Sequence, residues 1–127
     1  MRMYQRTACL ALLGLMVPAT SAWPHHSFGA FDMQKVVTVA GTVREFQWTN
    51  PHIWIQLDVV NAKGRAEEWG FETASPNVLG RRGWSKQMLH PGDKVSVTYH
   101  PSRDGSHGGA VMSVTLPSGK VVVVLFA

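Results

Sequence analysis

The chain has 127 residues, with 12 Lys and Arg against 8 Asp and Glu, for a net charge of +4 at pH 7. That length suits one domain, and so modest a charge gives no basis for a nucleic-acid or other polyanion partner. A single cysteine excludes an internal disulfide, so one hydrophobic core has to hold the fold.

Residues 1–22 read as a secretory signal peptide. Arg2 and Arg6 form a charged start, Ala8 to Val17 an apolar run, and Pro18 to Ala22 a small-residue end. The apolar run is too short for a permanent membrane anchor, and no second run of spanning length follows. Cleavage is expected after Ala22, or alternatively after Ser21, which places the mature protein in the periplasm or outside the cell. Loss of Arg2 and Arg6 leaves ten basic residues against eight acidic ones, a net of about +2. Cys9 leaves with the leader.

Residues 23–34 read as an extended arm without helical or strand periodicity, marked by the pair His25-His26. Residues 35–127 are expected to form the folded domain. Its first strand spans Lys35 to Trp48, with Val37, Val39 and Val43 on one face and a bulge or bend at Gly41. Asn50-Pro51 ends it. The second strand, His52 to Val60, alternates strictly: Ile53, Ile55, Leu57 and Val59 turn inward, whereas His52, Trp54, Gln56 and Asp58 turn outward.

Asn61 to Gly64 has the chemistry of a type I turn with a glycine bulge. It sets Asn61 opposite Arg65, and hence Leu57 opposite Trp69, Ile55 opposite Phe71 and Trp54 opposite Glu72. The third strand is then Ala66 to Thr73. Ser75-Pro76 starts a short helix that Gly83 stops. Val95, Val97 and Tyr99 mark a fourth strand. Pro101 to Gly109, with His107, reads as a polar loop, Val111 to Leu116 as a fifth strand, and Val121 to Phe126 as a last, apolar one. Met88 and Met112 read as core filler, and Trp84 as a plug for one barrel end. Three strands, a helix and further strands make an all-β fold: a small OB-fold-like antiparallel barrel of five to six strands with one short helix between strands three and four. An immunoglobulin-like sandwich, which wants about seven strands and no helix, ranks second.

Six segments together resemble a family of small exported bacterial proteins known only as a domain of unknown function. They are His25-His26-Ser27-Phe28, Gly41-Thr42-Val43, Trp48-Thr49-Asn50-Pro51-His52, Ser75-Pro76-Asn77, Arg81-Arg82-Gly83-Trp84 and Pro91-Gly92-Asp93. The resemblance spans the mature chain and implies a single exported domain without an assigned activity.

A tryptophan and a histidine on the outward face of a strand are unusual, because solvent normally receives Lys, Thr or Glu there. The expectation is a non-enzymatic binding module that uses Trp48, Asn50, Trp54 and Glu72 for a small ligand. His25, His26 and His52 are its candidate ligands for a soft metal ion, copper before zinc. Pro24 lacks the amide that an amino-terminal copper chelate requires, so His52 would have to complete the site. Each histidine also has an ordinary reading, in a packed arm or as a cap on the Asn50-Pro51 turn. Periplasmic OB-fold copper chaperones, which use His, Met and Trp, are similar in fold and residue types only. The alternative is a docking domain whose apolar last strand adds to the sheet of a periplasmic partner. No Gly-x-Ser-x-Gly, cysteine nucleophile or phosphate loop points to an enzyme.

Overall fold

A computed structural model describes residues 28–124 of the chain. The expected leader, the His25-His26 pair and the last three residues lie outside the described range. A 3-10 turn at Phe28–Ala30 precedes strands β1 (Val37–Gln47), β2 (Trp54–Val60) and β3 (Ala66–Glu72). Helix α1 (Pro76–Arg81) follows, then β4 (Lys94–Pro101), β5 (Gly108–Thr115) and β6 (Val121–Val123). The strands lie in the order β3-β2-β1-β4-β5-β6, and β3 also pairs with β5, so the first five close into a barrel. That connectivity is the OB barrel expected from the sequence. The closing β3–β5 pair is parallel, whereas every other pairing of the sheet is antiparallel.

β1 serves two partners. Val37 to Thr42 pair with β4, and Thr42 to Gln47 pair with β2. The change of partner falls beside Gly41, where a Cβ atom would lie 2.9 Å from the Asp58 carbonyl oxygen. The bulge itself sits three residues further on, because Val43 and Glu45 face the successive residues Leu57 and Gln56 and leave Arg44 unopposed. An extra residue reverses the alternation. Val43 therefore faces the core, and so do Phe46 and Trp48, which the odd-numbered valines would not suggest.

The β2–β3 hairpin has the register read from the sequence, with Leu57 opposite Trp69, Ile55 opposite Phe71, and Trp54 opposite Glu72. Its turn works as its residues require. Gly64 takes a φ of 74°, Asn61 N–H donates to the Arg65 carbonyl at 2.9 Å, and Asn61 Oδ1 accepts from the Lys63 and Arg65 amides.

β5 begins three residues before the expected Val111. Gly108 and Gly109, read as the end of a polar loop, and Ala110 after them pair with Gly70, Phe71 and Glu72 and close the barrel. Glycine is a steric requirement at this seam. A Cβ on Gly108 would stand 1.8 Å from the Gly70 carbonyl oxygen, and one on Gly109 would stand 1.9 Å from that of His100. A second bulge follows, since Tyr99 faces Val111 and Thr98 faces Ser113, leaving Met112 unopposed. Val111 and Val114 consequently both point inward, while Met112, expected in the core, is only half-buried.

Ser75 Oγ accepts from the Val78 amide at the helix start. At the other end Trp84 N–H returns to the Leu79 carbonyl and Gly83 N–H to that of Gly80, a Schellman stop. The turn delivers Leu79, Trp84 and Leu89 to the core, whose other members include Ile53, Ile55, Leu57, Phe71, Val97 and Val114. Burial of such side chains contributes roughly 1.5–3 kcal/mol each before the entropy of ordering is set against it.

Candidate functional site

Alternation along β2 turns Ile53, Ile55 and Leu57 inward at full burial and sets Trp54, Gln56 and Asp58 outside. Ahead of the strand, Ile53 N–H donates to the Ala74 carbonyl, while Thr73 returns both its amide and its hydroxyl to the Ile53 carbonyl. These bonds extend the β2–β3 ladder and hold His52 against the end of β3. There His52 Nδ1 pairs with Glu72 Oε1. Trp54 stands opposite the same glutamate in the register, half-buried. Thr49 Oγ1 donates to the His52 carbonyl at 3.1 Å, which ties the preceding turn to the site.

His52, Trp54 and Glu72 are thus brought together on the outside of the barrel. Trp48 is placed elsewhere: it packs against the core, edge to face with Phe46 at 5.8 Å between centroids. Asn50 is exposed and joined to Pro51 by a cis peptide bond. Glu68, further along the same outer face, is paired with Arg44, which also lies 3.9 Å from Asp58. His25 and His26 lie outside the described residues. Among the described residues no group of three His, Cys, Asp or Glu side chains is arranged to hold a metal ion.

The outer row continues from Glu72 through Ala110 of β5 to His100 of β4. His100 is 8 % exposed although it faces outward. Its Nδ1 is 2.8 Å from the Lys35 carbonyl, so the segment entering β1 crosses this row. That segment continues along the end of β4, where Asp32 N–H donates to Pro101 and Phe31 bridges Ser102. This segment therefore lies on the β4 side of the barrel, and the first half of β1 that follows it is bound to β4 and not to β2.

A second cluster was not legible in the sequence as a cluster. His107, at the end of the β4–β5 loop, stacks on Trp69 at 4.8 Å and 12° between planes, and its Nδ1 lies 3.6 Å from Glu67 Oε2. Glu67 Oε1 accepts from Asn61 Nδ2 at 2.7 Å. That hydrogen bond, opposed by desolvation and aided by Trp69 and the charge of His107, holds the Glu67 carboxyl below its ordinary value. Glu67 and Trp69 alternate visibly in the hairpin, but only the parallel β3–β5 seam brings His107 to them.

The fold and site define a small OB barrel with a polar and aromatic patch at the β2–β3 end. Residues 12–112 match the model of a family of unknown function, DUF6152, and the chain belongs to that family. No curated protein matches it. Among the described residues no helix is long and apolar enough to cross a membrane.

Proposed function

We propose that the chain is an exported, non-enzymatic binding module whose ligand face is built around His52, Glu72 and Trp54, and that the ligand is a soft metal ion, copper before zinc. The single observation that carries this reading is the pairing of Glu72 with His52 Nδ1. A carboxylate at that nitrogen favours the tautomer with its proton on Nδ1 and its lone pair on Nε2, as in metal sites where a carboxylate backs a ligating histidine. Glu72 is then the supporting group, and His52 the ligand. Further donors come from His25 and His26 if the arm crosses the Glu72–Ala110–His100 row. Trp54, in register with Glu72, offers a ring face to a desolvated Cu(I). Neutral imidazoles in a chain whose one cysteine lies in the leader suit copper.

Tryptophan fluorescence tests the reading. Copper should quench it saturably, and Trp54→Phe should remove most of the quenched signal. Quenching that rises linearly with copper, unchanged in that variant, argues for collision and against a site.

A second reading rests on β6, the last strand of the sheet, where Val121 and Val123 are 55 % and 46 % exposed. An apolar edge can accept a partner's strand. It ranks second because the Trp84 indole N–H already occupies the Val123 carbonyl at 3.3 Å and covers part of that edge.

A further inference from the structure

We propose that His107, Glu67 and Trp69 form a proton-operated latch that fixes the β4–β5 loop to the end of the barrel. The three side chains come from segments that only the β3–β5 seam joins. The loop is held there by backbone as well as side chain: Gly70 N–H donates to the His107 carbonyl at 3.1 Å, between the two β3 residues that meet the ring and the rest of the strand. Trp69 is itself braced, edge to face with Tyr99 at 6.3 Å and stacked on Phe71 at 6.2 Å. The ring of His107 therefore rests on a fixed surface.

The charge state of that ring decides how strongly it is held. At 3.6 Å from Glu67 Oε2, the His107 nitrogen is beyond a good hydrogen bond but well within the range of an ion pair. A neutral imidazole gains mainly from stacking. An imidazolium gains in addition a Coulomb attraction to Glu67 and a cation–π contact with Trp69. Glu67 is prepared for this role, since Asn61 and the Trp69 indole N–H both donate to it and favour its ionised form.

The other charged groups around the loop are engaged elsewhere. Arg103 Nε donates to the Phe31 carbonyl, and Asp104 Oδ1 accepts from the Ser106 amide. On β4, burial raises the Tyr99 hydroxyl and keeps it neutral. Among the described residues Glu67 is the one carboxylate within ion-pair distance of His107. The latch accordingly tightens when the His107 ring carries a proton and loosens when it is neutral.

Hydrogen exchange of the Gly70 amide, corrected for intrinsic rate and referred to core amides of β2, reads the latch directly. In the wild type its protection should be about 2–5-fold greater at pH 5.5 than at pH 8. His107→Phe keeps an aromatic ring for the stack but carries no proton, and should give equal protection at both values. Glu67→Gln should reduce the difference while leaving the loop in place. Equal protection at both pH values in the wild type, or a pH difference that survives in His107→Phe, overturns the proposal.

Discussion

His52 and Glu72 are paired side chain to side chain, although the strand register sets Glu72 opposite Trp54, two residues further along. Their side chains are 29 % and 18 % exposed, so the pair is partly in solvent and its contribution to folding is small, about 1 kcal/mol or less. Its weight should fall on binding. Glu72→Gln is expected to leave the melting temperature within a few degrees of wild type and to weaken copper binding by about 10–100-fold. A large loss of stability with unchanged affinity would mean that Glu72 serves the fold and not the site.

Barrel closure rests on the Gly70–Gly108 seam. Gly108→Ala adds an atom 1.8 Å from a carbonyl oxygen at a backbone φ of 133°, and the chain cannot absorb both without opening β5 from β3. Denaturant unfolding should show a loss of about 3 kcal/mol or more. A loss below about 1 kcal/mol would show that the seam is not a stabilising element.

Phe71 stands at the centre of the interior, fully buried, with its ring 4.9 Å from that of Tyr99 in an edge-to-face contact. Phe71→Ala should cost about 3–5 kcal/mol, and Phe71→Leu less. The same denaturation experiment measures both.

Acid stability should respond to Glu67. Its folded-state carboxyl is lowered chiefly by the Asn61 hydrogen bond, so its contribution is present above the ordinary carboxylate range and lost as pH falls through the lowered value. Asp104, lowered by its bonds to Ser106, acts in the same direction. Thermal melts across the acid range should therefore show a shallower loss of stability in Glu67→Gln than in wild type. Parallel curves would contradict the assignment.

The parts of this fold that the sequence made legible are those governed by neighbouring residues. Asn61 to Gly64 fixed a turn, the turn fixed a register, and the register placed Ile55, Leu57 and Phe71 in the core. Ser75-Pro76 and Gly83 likewise bounded α1 through backbone chemistry alone. The bulges at Arg44 and Met112 were not legible, because an unopposed residue depends on the partner strand and reverses alternation without a local mark. That is why Trp48 was grouped with the outer face when it packs on the core, and why Met112 was read as core in place of Val111. At the site, alternation put His52 and Trp54 outside and turn register added Glu72. The stacking of His107 on Trp69 needed the closed barrel.

The central claim is that His52 is a metal ligand supported by Glu72, with the arm histidines completing the site. Equilibrium titration of the tag-free chain lacking residues 1–22 with Cu(I), Cu(II) and Zn(II), against a competing chelator, tests it most directly. The account predicts that copper binds more tightly than zinc and with a Kd below ~10 µM, and that His52→Ala and His25→Ala/His26→Ala each weaken it by about tenfold or more. Wild-type copper affinity no tighter than ~10 µM, or equal affinity in wild type and both variants, would contradict it.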